Sequence, residues 1–266
     1  MLIWRSDGVL TVTLQTDHMA QSADVARVWG RGDLLGPTRP AQAALAARLH
    51  DEPWGEQEVH PQIDPETGLP VDFNIYFFRS PSIPPERHSS FYSRGVDYAA
   101  QFDLYAALLI SMHASGLYLR RYGIDGDPPV DRASIPEYGR NFAASEEARQ
   151  AVYRQQLGVS QADIWRDYYL LQLWDRMSLF FCLGRSAEDL GLMPSASDPR
   201  GRRGRIRRLD QRTATVDPYP FPEPEVAFPV KSYRLPDRRY ASSEDFVGQL
   251  AATAPQTIVY RVVAKG

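Results

Sequence analysis

Apolar positions alternate at the start of the chain and then recur with helical spacing over most of its first two thirds. Leu2 to Trp4 and Val9-Leu-Thr-Val-Thr-Leu14 flank an Asp7-Gly8 turn, a pattern that predicts a β-hairpin. A helix is predicted from about Thr16, which can cap it, through Trp29, with Gly30 as its stop. A second starts after Pro40 and runs through Ala41 to Leu49, and Pro53 forbids much continuation. Residues 52 to 85 are rich in proline and read as a long irregular stretch, of the length that often forms a functional or lid-like loop. Helical patterning resumes from about Pro84–His88 to Ala100 and again from Asp103 to Tyr122. Gly123 to Arg140 reads as a surface loop, and Ala143 to Leu157 as an exposed amphipathic helix ended by Gly158. Ser160 then caps a long helix through Leu183, with Asp163 adding negative charge to its first turn.

Beyond about Pro194 the pattern changes. Arg200 to Arg208 is dense in arginine and reads as a glycine-containing loop, and the prolines of Asp217 to Pro224 exclude regular structure there. Val226 to Leu235 and Thr257 to Val263 read as strands on either side of a short helix at Ser242 to Ala252. The expected fold class is α+β: a mainly helical core, about residues 15–185, with an antiparallel sheet formed by the N-terminal hairpin and the C-terminal strands. The extension at about 194–266 then packs with strands 2–14 in a single domain, 1–266, because each piece alone is too small to fold.

With 266 residues, 43% of them hydrophobic and 24% charged, the chain has the composition of an ordinary globular protein with a substantial core. The net charge of −3 removes any global attraction to nucleic acid or to an acidic membrane. Cys182 is the single cysteine and lies in the apolar run Leu179 to Leu183, so it reads as a buried spectator. Met1 to Gly8 breaks into a charged turn instead of a signal-peptide run. The most apolar helix is interrupted by Arg166, Asp167, Asp175 and Arg176 and fails as a membrane span. The expected location is cytoplasmic.

The chemistry concentrates in a few residues. His50 and Asp51 stand side by side at a helix end, where a fraying backbone lets both turn toward one ion although mid-helix neighbours diverge by about 100°. His18, His88 and His113 also sit in or beside helical segments, and ligands drawn from separate helices meet in the middle of a bundle. Asp175 is flanked by large apolar side chains in Leu170 to Phe181, so its carboxylate needs a partner: Arg176, another arginine or a metal. His113, among apolar positions and followed by Ala114, Ser115 and Gly116, reads either as a hydrogen-bonded core histidine or as a ligand. His60, in a loop before Pro61, reads as solvent-exposed.

The order His18, His50-Asp51, His88, His113, Asp175 resembles the HD-domain superfamily, a helical metal-dependent phosphohydrolase fold with a histidine, a His-Asp pair and a distal aspartate as its signature. Leu45-Ala-Ala-Arg-Leu-His-Asp51 is similar to the helix end that carries the pair, and Leu173-Trp-Asp-Arg-Met-Ser178 to the final aspartate helix. More narrowly, Gln15 to Ala20, Ile63 to Pro70, Ala106 to Tyr118 and Asp217 to Phe221 resemble a bacterial group, domain-of-unknown-function family 3891, over nearly the whole chain. The resemblance implies an HD-like helical core in which His18, His50, Asp51 and Asp175 hold one divalent ion. His88 and His113, with Asp51 bridging, would hold a second, and Asp51 and His113 are the implied catalytic residues. Imidazole and carboxylate together suit manganese, iron, nickel, cobalt or zinc. The pair is followed by Glu52-Pro-Trp-Gly55, where many phosphodiesterase members have a small apolar residue, glycine and a basic residue.

Three functions compete on this reading. The first is a metal-dependent phosphohydrolase that acts on a nucleotide or other small phosphoester through metal-activated water, with Arg94, Arg120, Arg121 and Arg176 as phosphate-clamp candidates. The second is a di-iron oxygenase of the same superfamily. The third is a non-catalytic ligand-binding or regulatory protein that uses Arg200 to Arg208, although no stacking aromatics are interleaved there and a solvated loop is the plainer reading. The expected partner is a small phosphorylated substrate, without nucleic acid or membrane, and a homo-oligomer is left open.

Overall fold

The computed structural model describes residues 1–72, 85–119 and 131–265, those at 85–89 by backbone alone. Strands β1 (Leu2–Ser6) and β2 (Val9–Thr13) form the N-terminal hairpin. Asp7 and Gly8, at φ 53° and 76°, supply the left-handed pair that a two-residue turn requires. Helix α1 (Gln15–Arg27) follows at once. Its N-cap is Leu14, without a side-chain cap, so the helix starts before the Thr16 suggested by capping preference. Next come α2 (Pro40–Leu49), α3 (Trp54–Val59), α4 (Pro85–Ala100) and α5 (Leu104–Tyr118), the last capped by the Asp103 side chain. Helix α6 (Glu137–Leu157) begins six residues before the sequence suggests and stops at Gly158, φ 60°. Helix α7 (Gln161–Cys182) is capped by the Ser160 hydroxyl, which accepts from the Asp163 N–H.

The last third is a run of strands, β3 (Ala187–Met193), β4 (Arg202–Arg208), β5 (Thr213–Asp217) and β6 (Glu225–Pro236), then helix α8 (Ser243–Ala251) and strand β7 (Gln256–Val263). All join the hairpin in one seven-stranded sheet of order β1-β2-β6-β7-β5-β4-β3. The expectation of a mainly helical core with an attached antiparallel sheet is therefore corrected. Helix accounts for 46% of residues and strand for 23%, and the sheet is mixed, because β5 runs parallel to β7.

The correction has a local cause. Strand β4 hides a binary pattern inside its arginines: Gly204 and Ile206 are buried, while Arg203, Arg205 and Arg207 face solvent. Arg208 turns inward, stacks over the rings of Phe180 and Trp4 at 5.0 and 5.3 Å, and donates to the Phe180 and Arg185 carbonyls. The segment that density of charge marks as a loop is thus an internal strand of the sheet.

Trp174, Phe180 and Phe181 of α7 pack with Ile206, Val216, Phe228 and Tyr260 of the sheet in one continuous core that also takes in α1, α2 and α5. Phe181 stacks on Tyr260 at 4.7 Å. No helix among the described residues is long and apolar enough to cross a membrane.

One buried carboxylate sets the start of α2. Asp167 of α7 accepts from the Thr38 and Arg39 N–H groups, the Thr38 hydroxyl and the Tyr105 hydroxyl, and so caps a helix that has no cap of its own. Asp167→Ala leaves these donors unmet and is expected to lower the free energy of unfolding by about 3 kcal/mol in urea denaturation. Tyr105→Phe, which removes a single donor, is expected to cost about 1 kcal/mol.

Candidate metal centre

Four helical segments bring their ligands to one point. Helix α1 supplies His18, the end of α2 supplies His50 and Asp51, α5 supplies His113 and α7 supplies Asp175. The three histidines and Asp175 are at most 3% exposed, and Asp51 is 7% exposed. His50 is the C-cap of α2, and its Nδ1 lies 2.9 Å from the Ala47 carbonyl oxygen. The Asp51 N–H meets the Met19 sulfur at 3.1 Å, which turns the chain so that both side chains of the pair face inward.

The distances link the donors one to the next. His18 Nε2 lies 2.9 Å and His50 Nε2 3.4 Å from Asp175 Oδ1. His50 Nε2 lies 3.8 Å from Asp51 Oδ2, and His113 Nε2 lies 4.0 Å from Asp51 Oδ1. Among the described residues, His18, His50 and Asp51 form one group able to hold a metal ion, and His50, His113 and Asp175 another, each with donor atoms within 4.8 Å. Asp175 Oδ1 thus faces a pair of imidazoles. Arg176 instead donates to the Asp189 carbonyl oxygen of β3.

The tautomers follow from the outer partners. A carbonyl oxygen only accepts, so His50 donates from Nδ1 to Ala47 and leaves Nε2 for the centre. His18 is set by a longer chain. Gln21 Nε2 donates to the Phe228 carbonyl oxygen of β6, which turns Gln21 Oε1 toward Ser178. The Ser178 hydroxyl donates to that oxygen at 2.7 Å, and His18 Nδ1, 2.7 Å from Ser178 Oγ, donates to the hydroxyl in turn. His18 Nε2 is left bare beside Asp175. Neither His18 Nε2 nor His50 Nε2 meets hydrogen-bond geometry with any neighbour. Bare nitrogens aimed at carboxylates are what a cation between them would satisfy, and partners on the far ring nitrogen are the usual support of metal-binding histidines.

The electrostatics agree. Burial disfavours charge on His50, yet Asp51 and Asp175 outweigh it and raise its pKa to about 9. Burial and then the charge of His50 push His113 down to about 4. Burial alone would raise the Asp175 pKa, but the charge of His50 holds it well below the usual carboxylate range. Without an ion, the site retains a proton on His50 to balance its carboxylates.

The other candidates fall elsewhere. The backbone of His88 lies in α4 and its side chain lies outside the described residues, as do Arg120 and Arg121. His60 is exposed at the end of α3, and Glu52 is partly buried on the turn before it. Arg94 pairs with Glu56 on the surface at 2.8 Å. Cys182 is buried, with its thiol pKa pushed up to about 12 by burial. Ser178 and Gln21 escape a reading focused on ligands, although each is a polar residue three positions after a ligand on a helix face that is otherwise closed to solvent.

Three imidazoles and two carboxylates closed into the interior in this way define a candidate metal-binding protein. The chain matches the family described as "Protein of unknown function (DUF3891)" over residues 1–237 and belongs to it. The matched stretch contains every residue of the cluster and ends at the close of β6. No curated protein and no solved structure matches the chain.

Metal uptake must displace the His50 proton, whereas His113 is neutral well below neutrality. Affinity for manganese or zinc is therefore expected to rise about tenfold per pH unit and to level off near pH 9, with about one proton released per ion in calorimetry. In metal-free protein the stability lent by the His50 charge is present below its ordinary pKa and lost as pH climbs through about 9. His113 acts oppositely, adding stability as pH rises from about 4 to its ordinary value. Ser178→Ala removes the acceptor that orients His18 and is expected to weaken metal affinity about 10- to 100-fold in equilibrium dialysis, with folding retained by circular dichroism.

Proposed function

We propose that the protein is a metal-dependent phosphohydrolase of the HD-domain type, acting on a nucleotide or another small phosphoester. The observation that carries this reading is the convergence of His18, His50, Asp51, His113 and Asp175 on one buried point, with the histidine Nε2 atoms facing carboxylate oxygens. Neutral imidazoles and carboxylates suit manganese, iron, nickel, cobalt or zinc. A divalent ion bound there supplies hydroxide from its water at neutral pH and polarises a phosphoryl oxygen.

His18, His50, Asp51 and Asp175 are the residues assigned to hold the ion. His50 belongs to both groups of donors, and its Nδ1 is committed to Ala47, so the described donors suit a single ion. A second would draw on His88. Asp51 is the most exposed of the five. Together with His113, 4.0 Å away, it is assigned to hold the attacking water and its proton. His113 is suited to that task because it is neutral and adds no charge against an anionic substrate. The partner is a small phosphorylated molecule. The exposed arginines of β4 are not needed for this role, since Arg203 is paired with Asp189 at 2.6 Å and Arg208 is internal.

Elemental analysis of protein purified without chelators tests the reading first, followed by a phosphoester panel with manganese, cobalt, nickel and zinc. About one equivalent of metal and hydrolysis of at least one small phosphoester are expected. His50→Ala and Asp51→Ala, each folded, should lower metal affinity by at least about 100-fold and abolish turnover. Iron accompanied by oxygen consumption would replace this reading with the oxygenase. Protein that stays empty after ions are added would replace it with a binding module.

A further inference from the structure

The first turn of α1 carries another polar side chain sealed in the core. Gln15 has no exposed surface, and neither its Oε1 nor its Nε2 has a hydrogen-bond partner among the described residues. Its backbone is well anchored, because the Gln15 N–H donates to Glu58 Oε1 at 2.9 Å, an oxygen that also pairs with the Met1 amino group. Two other buried glutamines are satisfied: Gln21 bridges Phe228 and Ser178, and Gln150 donates to Ser111 and Ser115. A primary amide offers two donors and an acceptor oxygen, and native interiors do not leave both ends unmet without a reason.

Position supplies the reason. Gln15 precedes His18 by three residues and Met19 by four, so it shares their face of α1. Met19 on that face touches the backbone of Asp51 through its sulfur, and His18 faces Asp175. Gln15 therefore stands one helical turn before residues that surround the candidate ion.

Resting on the metal-site reading above, we propose that Gln15 binds the oxygen ligands that come to this centre from outside the protein. Nε2 donates to an oxygen of a phosphate-class anion, and Oε1 accepts from the water beside it. A neutral amide is a weaker ligand for a transition ion than imidazole or carboxylate, so the ion itself is not its target. An apolar occupant would leave both ends of the amide unmet, whereas an oxyanion next to water uses both.

The test compares manganese-loaded wild type, Gln15→Leu and Gln15→Glu. Metal content is measured first, and inorganic phosphate is then titrated while proton relaxation follows the manganese-bound water. All three proteins are expected to hold the same manganese. Gln15→Leu should weaken phosphate binding by at least about tenfold, and Gln15→Glu by more, because its charge repels the anion. Unchanged phosphate affinity and water relaxation in fully loaded Gln15→Leu would overturn the proposal, as would a loaded wild type that does not bind phosphate. A wild type that takes up no manganese sinks the metal-site reading itself, and the two failures are told apart by metal content. Should the variants not fold, a crystal structure of wild type with manganese and phosphate decides. Non-protein oxygens within hydrogen-bond distance of both amide atoms are expected, and an amide that is dry or bonded only to protein groups refutes the assignment.

Discussion

Two carboxylates in the interior fix what everything around them must supply. Asp51 and Asp175 have little contact with water, and a buried carboxylate is tolerated only with positive charge or hydrogen bonds set against it. The guanidinium next in sequence to Asp175 is tied to a strand carbonyl, so compensation falls to three imidazoles. Imidazoles can provide it in two ways, by carrying a proton or by sharing a cation. The raised pKa of His50 is the first of these.

The scaffold is arranged to keep that balance in place. Helix α2 is gripped at both ends by α7: Asp167 takes the donors at Thr38 and Arg39, and Asp175 meets His50 at the far end. Eight residues separate the two aspartates, about 12 Å along α7, close to the roughly 15 Å length of the ten-residue α2 that lies between their partners. Movement of α2 along its axis would break both attachments. The apolar body of α7 is in turn pressed on the sheet through Phe180 and Phe181, so the position of the cluster is tied to the core that helices and sheet share.

The chain discloses the parts of this arrangement that rest on local chemistry. A His-Asp pair before a proline and an aspartate inside an apolar helix are visible because each violates the pattern around it, and the cap at Ser160 follows from local hydrogen bonding. What stays hidden depends on contacts distant in sequence. Strand β4 looks like a loop because its arginines dominate, and only its pairing with β3 and β5 reveals the alternation at Gly204 and Ile206. Leu14 begins α1 in place of the better capping residue Thr16, with the Gln15 N–H satisfied by Glu58 from α3. The relay from His18 to Phe228 joins residues about two hundred positions apart, and no window of sequence contains it.

That relay bears on how the protein is made. All five clustered donors precede the end of α7, yet the carbonyl on which the relay behind His18 ends belongs to β6, some fifty residues later. Up to the end of α7 the chain holds all five donors but not the outer partner of Gln21. Strand β6 also lies between β2 and β7 in the sheet. The outer support of the cluster is therefore complete only when β6 has taken its place in the sheet, so closure of the sheet and orientation of His18 belong to one folding event.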